Sequence, residues 1–295
     1  MAHIRFVTCE SLEGYFFDPK QPALTIDDMI LHDELVARGH TVTPLVWSSD
    51  EAQNPEGDML IVRSPWDYFE KTEAFKAWML HMADIGAPLY NSANEIIWNL
   101  RKNYLADLEA CGVPIIPTLF LNKDEQLGND FFKEMGEAEL VFKPQEGANA
   151  FLTERLGDKP SKSVLKRLNK ALKERDYMIQ PFLSQIQDEG EWSLVYFNGA
   201  YSHGFLKKAK EGDFRVQEEH GGSLHTPPVP TEIISSADTV MDALDHAPLY
   251  ARVDGVMVNG EFLLMELEMF EPELYFRADK KAASNMADAI EALLL

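Results

Sequence analysis

YARVDGVMVNGEFLLMELEMF, residues 250–270, reads as a β-hairpin, with apolar runs on either side of Asn259-Gly260. In its second arm Glu266 and Glu268 alternate with Met265, Leu267 and Met269. A strand therefore puts both glutamates on one face and the apolar side chains on the other. The first arm carries Asp254. A strict two-residue loop at Asn259-Gly260 would set Asp254 opposite Met265, on the wrong face. A three-residue loop with Gly260 left-handed, or a bulge, sets it opposite Glu266, and the sequence predicts such an irregular connection over 258–262. Three carboxylates this close repel unless neutralised. Magnesium takes hard oxygen ligands and usually binds one or two carboxylates together with nucleotide phosphates. A solvated strand face is the plainer reading of the same triplet, because strands commonly alternate apolar-in and polar-out.

A metal–nucleotide site also needs cations for the phosphates. Lys143 ends the apolar run of VFKP, where a lysine is either an exposed edge or a phosphate anchor. Lys102 falls in a helix expected over roughly 94–111, just after Trp98-Asn99. Arg215 lies in GDFRVQ ahead of Gly221-Gly222, placed to clamp a phosphoryl group or a carboxylate, or to make a surface ion pair. Arg63 and Trp66, in VRSPWDY, follow a predicted strand. Ligands of open α/β sheets bind beyond the carboxyl ends of strands, so both suit substrate recognition; an arginine stacked on a structural tryptophan is the other reading. The loop Gln145–Ala150 after Lys143 could cover a phosphate. Neither GxxxxGK[ST] nor a GxGxxG after a strand occurs, which argues against a P-loop or a dinucleotide-binding fold. His203, His220 and His225 fit no common zinc spacing.

Around these residues the chain alternates. Strands are predicted at 3–9, 41–47, 58–63 and 87–90, with helices over 25–38 and 70–85, the rhythm of an open α/β sheet. A compact α+β unit follows, with strands at 113–121, 139–144 and 177–183 and a basic helix over 161–175. That helix reads as a solvated face. The last third is antiparallel: a hairpin at Asn198-Gly199, the loop 220–230, the hairpin at 250–270 and an Ala-rich helix over 279–294.

The 295 residues are 45% apolar, enough for a substantial core. A net charge of -22 repels phosphate backbones, so nucleic acid is not an expected partner, while a nucleotide needs only a local basic pocket. Cys9 and Cys111 read as reduced thiols of a cytoplasmic protein, and no apolar run is long enough to span a membrane.

Taken in order, Lys102, Lys143, the QPFL strand end, Arg215 before a Gly-Gly pair, Asp254 and Glu266-x-Glu268 resemble an ATP-grasp enzyme of the glutathione synthetase-like branch. Within that branch the whole chain is similar to the D-cycloserine ligase family, through RSPWDY (63–68), WNLRKNYL (98–105), GEWSLVYFNGAYSHGFLK (190–207), YARVDGV (250–256) and LMELEMFEPELY (264–275). The resemblance implies an N-terminal open α/β domain (1–112), a central lid subdomain (113–182) and a C-terminal antiparallel-sheet subdomain (183–295). It implies that Lys102 and Lys143 contact ATP phosphates. Gln180, Pro181, Phe182 and Leu183 would form the adenine hinge, and Glu191 would hold the ribose. Arg215, with Lys143, would act on the transferring phosphoryl group. Asp254, Glu266 and Glu268 would bind two magnesium ions. Arg63, Trp66 and His203 are candidate contacts to an amino-acid-like substrate. The implied activity is carboxylate–amine ligation through an acyl phosphate, releasing ADP and phosphate, with ring closure within one substrate in the cycloserine branch. A non-catalytic ATP-binding module and a small-molecule kinase are the competing functions, and a homo-oligomer is an open expectation. The chain departs from common ATP-grasp usage at Glu268, where Asn is frequent, at Asn91-Ser92, where Asn-Pro is frequent, and at Glu146 in the phosphate loop.

Overall fold

The computed structural model describes residues 1–10, 12, 24–128, 131–132, 139–147, 151–157, 161–210, 212–213, 215–216 and 218–294. Strands β1 (His3–Thr8), β2 (Thr41–Val46), β3 (Met59–Ser64) and β4 (Leu89–Tyr90) form a parallel sheet in the order β2-β1-β3-β4. β3 is buried along its whole length, as expected of an inner parallel strand covered on both faces. Helix α1 (Ile26–Ala37) begins where the Thr25 hydroxyl accepts the Asp28 N–H at 3.0 Å. Helix α2 (Thr72–Asp84) buries Phe75, Trp78, Met79 and Met82 against the other side of the sheet.

The single helix expected over 94–111 is broken into α3 (Ala93–Asn99) and α4 (Tyr104–Ala110). Its interruption has a cause in hydrogen bonding. The Asn99 side chain donates to the Leu267 carbonyl and accepts the Met269 N–H, both at 2.8 Å, and the Lys102 N–H leaves the helix for the Gln145 carbonyl at 2.8 Å. Of the strand expected at 113–121, only β5 (Leu119–Leu121) forms. Pro114 and Pro117 supply no N–H, and the backbone at 114–116 instead runs beside Leu264.

The middle unit is an antiparallel sheet ordered β5-β8-β6-β7, with β6 (Leu140–Pro144), β7 (Glu154–Leu156) and β8 (Tyr177–Pro181). Leu168 and Leu172, in and just after α5 (Lys162–Ala171), pack on Phe142, Tyr177 and Ile179 of this sheet. After the short α6 (Gln185–Asp188), strands β9 (Glu191–Phe197), β10 (Ala200–Lys208), β11 (Ser223–His225), β12 (Tyr250–Val258) and β13 (Glu261–Glu268) make the antiparallel sheet β11-β10-β9-β12-β13. The 220–230 loop thus contributes an edge strand. Helix α7 (Thr231–Asp242) covers one face through Ile233, Ala237 and Val240. On the other face Val195, Phe197 and Phe205 share one core with α8 (Ala282–Leu293), α1 and β1. The first and last parts of the chain are therefore packed as one body.

Both Asn-Gly loops are two-residue turns with both residues left-handed: Asn198 φ 48° and Gly199 φ 76°, Asn259 φ 51° and Gly260 φ 86°. The three-residue loop expected at Gly260 is not found, since Val258 pairs directly with Glu261. The irregularity lies deeper in the hairpin. Gly255 pairs with Leu264 and Asp254 with Glu266, which leaves Met265 as the extra, bulged residue. Gly255 permits this because the Phe262 ring crosses it; a Cβ there would lie 2.2 Å from the Phe262 Cζ.

Candidate active site

The cleft lies between the middle sheet, which contributes Val141, Lys143 and Gln180, and the C-terminal sheet, which contributes Glu191, Lys207, Asp254 and Glu266. The bulge at Met265 determines the geometry of its floor. Ser193, Asp254 and Glu266 lie side by side across β9, β12 and β13, and Arg252 stands opposite Glu268. Ser193 Oγ donates to Asp254 at 2.5 Å. The Arg252 guanidinium binds Asp254 at 2.8 Å and Glu268 at 2.7 Å. Lys207 Nζ is 3.0 Å from Glu191 and 3.3 Å from Asp254.

These partners divide the carboxylates. Burial works against an ionised Asp254, but Arg252 and Lys207 outweigh it and hold its pKa at about 2. Burial likewise opposes ionisation of Glu266, and Lys102 and Lys143 overcome it, so its pKa is lowered. Glu268 goes the other way: burial together with Glu266 and Asp254 outweighs Arg252 and raises it to about 8. Burial raises Glu191 despite Lys207.

Lys102 Nζ sits 2.9 Å from Glu266 and donates to the Gly147 carbonyl at 2.7 Å. It owes that reach to the helix break, which turns it inward. Lys143 lines the cleft with no carboxylate within ion-pair distance among the described residues, and burial lowers its pKa. Arg215 lines the cleft and pairs with Asp213 at 2.7 Å. Gln180, Pro181, Phe182 and Leu183 line the wall at the end of β8, where Gln180 is fixed by Thr118 at 2.9 Å. Residues 148–150 of the phosphate loop, and 214 and 217 beside Arg215, lie outside the described residues.

The three candidate substrate contacts divide: Trp66 lines the cleft, while Arg63 and His203 do not. Arg63 is fully buried away from the cleft, with Nε on Asp28 at 2.8 Å and a terminal nitrogen on the Pro272 carbonyl at 3.2 Å. His203 is buried and donates Nε2–H to the Leu274 carbonyl at 2.8 Å; burial lowers its pKa. Trp66 does line the cleft, but its indole N–H goes to the Glu271 carbonyl at 3.1 Å. Arg252 completes the set on the Glu273 carbonyl at 2.8 Å. Four consecutive carbonyls, 271 to 274, are thus held by side chains from β3, the segment after it, β10 and β12. The side chains of Glu271, Glu273 and Tyr275 on this segment line the cleft. Sequence reasoning did not single these out, nor Lys207 and Arg252. Arg252 carried a signal, two residues before Asp254 on the same strand face; the 271–275 segment carried none, because nothing local announces which carbonyls distant side chains will hold.

The donor set suits a metal bound jointly with phosphates. Among the described residues no three His, Cys, Asp or Glu side chains converge as a cage for a bare ion. Magnesium needs no such cage, since one or two carboxylates plus phosphate oxygens suffice. Asp254, Glu266 and Glu268 share a strand face at the cleft floor and fit that role.

Fold and relatives together define the class: the protein is an ATP-grasp ligase of the C–N bond-forming kind. More particularly, residues 4–91 match the family model described as D-cycloserine synthetase DcsG, N-terminal domain. The cycloserine biosynthesis protein DcsG of Streptomyces lavendulae is 26% identical over 272 residues, covering 85% of this chain and 88% of that protein. The crystal structure of D-cycloserine synthetase DcsG superposes with a TM-score of 0.85 at 25% identity, covering 99% of this chain and all of the other. D-alanine–D-alanine ligase from Bacillus anthracis shares the fold, with a TM-score of 0.72 at 16% identity over 100% of this chain and 97% of its own. Among the described residues no helix is long and apolar enough to cross a membrane.

Proposed function

We propose that the protein uses ATP to activate the carboxylate of an amino-acid-like substrate as an acyl phosphate, which an amine then attacks. A carboxylate oxygen takes the γ-phosphoryl group and ADP leaves. The amine nitrogen then bonds to the acyl carbon, phosphate leaves, and the nitrogen loses a proton. Phosphorylation is needed because the carboxylate alone would have to expel oxide. The likeness to D-cycloserine synthetase extends the reading to ring closure within one substrate.

The chain's own residues supply position and charge. Lys102 and Lys143 neutralise phosphate oxygens, with Lys102 exchanging Glu266 for its new partner. Gln180–Leu183 shelter the adenine, Glu191 holds the ribose, and Arg215 closes on the transferring group from its loop. Asp254, Glu266 and Glu268 would hold two magnesium ions, which supply Lewis-acid neutralisation of the phosphate charge when bound. The middle unit would act as the lid that excludes water. One observation carries the reading: Asp254 and Glu266 are in register on a cleft floor faced by Lys102 and Lys143.

The test is ADP release with ATP and magnesium over a panel of amino acids and hydroxamate-type substrates, with products followed by mass spectrometry. Amide or ring formation with ADP supports ligation. A phosphorylated product that accumulates without a new C–N bond would make the protein a kinase. Nucleotide binding with no substrate-stimulated ADP would make it a binding module.

A further inference from the structure

The ion pairs of the cleft leave one carboxylate over. Lys102 is taken by Glu266, Lys207 by Glu191 and Asp254, Arg252 by Asp254 and Glu268, and Arg215 by Asp213. Glu273 has Arg277 at 3.9 Å. Glu271 has no cation within ion-pair distance among the described residues; its partner is the Tyr68 hydroxyl, which donates to Oε1 at 2.6 Å. A phosphate-bearing nucleotide would take up the charge of Lys102 and Lys143 and offers nothing to Glu271. A carboxylate accepts about four hydrogen bonds, so Glu271, with one neutral donor from the protein, keeps acceptor capacity toward the cleft.

The position of Glu271 is built. Its own carbonyl is held by Trp66, and the next three by Arg63, Arg252 and His203. The Tyr275 N–H that ends the segment goes to the buried Asp27. Five side chains from five parts of the chain thus fix a stretch with no regular secondary structure. Such a shell holds the groups it carries to a narrow range of positions, as recognition sites require. The indole of Trp66, tied to the Glu271 carbonyl, lines the same cleft and adds an aromatic wall of the kind that suits a cation.

We propose that Glu271 is a specificity-determining residue that receives a positively charged nitrogen of the substrate, so that the ligase selects substrates carrying an ammonium group close to the reacting carboxylate. This rests on the ligase reading only for the identity of the reaction; the charge preference itself is a property of binding.

The experiment uses the full-length protein loaded with magnesium and a non-hydrolysable ATP analogue. Equilibrium binding is measured for paired probes in both enantiomers: serine against glycerate, which removes the α-ammonium, and ornithine against norvaline, which removes a side-chain ammonium. Glu271→Gln keeps an acceptor for Tyr68 and removes the charge. The wild type is expected to bind at least one probe about tenfold or more tighter than the mate that lacks the ammonium in question, as for a charge-assisted hydrogen bond. In Glu271→Gln that preference collapses while affinity for the ATP analogue stays within about twofold, which also shows that the variant is folded. No charge preference in any pair, or a preference that survives Glu271→Gln, overturns the proposal. ADP release by the wild type, measured in parallel with ATP, keeps the two readings apart. A charge preference without turnover sinks the ligase reading and leaves Glu271 in place; turnover without a preference sinks Glu271 alone.

Discussion

Asp254 and Glu266 face each other across the β12–β13 hairpin because β13 carries one residue more than its partner strand. The tight turn at Asn259-Gly260, continued without interruption, would pair Asp254 with Met265. The bulge at Met265 moves Glu266 into that place and brings Glu268 opposite Arg252. A local two-against-one pairing thus determines whether three carboxylates share a face, and it sits where bulges are often found, beside a functional site.

The bulge depends on Gly255, over which the Phe262 ring lies. Gly255→Ala should therefore cost about 1–3 kcal/mol, the usual range for overpacking a filled site. Phe262→Leu should relieve part of that cost, so the double variant is expected to be more stable than the two single effects predict by addition. Urea unfolding of the four proteins measures this. Strict additivity would show that ring and glycine do not constrain one another.

Much of the fold was legible because its signals are local. The parallel strands are apolar runs, both hairpins carry Asn-Gly, and Gly39 and Gly86 stop their helices with positive φ. Glu266, Glu268 and Lys143 were readable as alternation within strands. What escaped was non-local. The break at Lys102 is set by Asn99 bonding to β13, more than 160 residues away. Arg63, Trp66 and His203 stood out as chemistry-bearing side chains near strand ends. Which atoms they serve depends on where the 271–274 carbonyls come to rest, and no pattern within a short window records that.

Glu266 is the carboxylate most exposed to a direct test. Glu266→Gln removes the partner of a buried lysine, so without nucleotide the variant should lose about 1–3 kcal/mol of stability. Turnover should fall by about a hundredfold or more, as for loss of a charge-stabilising group. Thermal unfolding and ADP release check the two halves. Normal turnover in this variant would remove Glu266 from the metal site.

Arg63 should act on the substrate without touching it. Arg63→Met leaves Asp28 buried and unpaired, a change that commonly costs about 3–5 kcal/mol. Arg63→Met with Asp28→Leu removes both charges and should recover most of that stability. In the double variant the Pro272 carbonyl still lacks its donor. The expectation is a raised KM for the amino-acid-like substrate with little change in KM for ATP. An unchanged substrate KM in the stable double variant would show that the 271–275 segment holds its position without Arg63.

Asp27 offers a test in pH. It lies at the start of α1, receives the Tyr275 N–H and has one buried oxygen without a hydrogen-bond donor. Burial, aided by Glu273 and opposed by Arg63, raises its pKa from 3.8 to about 6. The folded state therefore keeps this proton more tightly than the unfolded chain does. Below about pH 4 both states are protonated and the preference is fully present. As pH rises through the folded pKa the proton is lost, and with it that part of the stability. Asp27→Asn keeps an oxygen for the Tyr275 N–H and never ionises. It should match the wild type near pH 4 and exceed it at pH 7.5 by about 1–3 kcal/mol, a shift of roughly two units setting the upper end. Denaturant midpoints of the two proteins from pH 4 to 7.5 give the difference directly. A gap that does not widen between pH 4 and 6 would mean that Asp27 ionises in the folded protein as readily as in the unfolded chain, with the Arg63 guanidinium compensating for its burial.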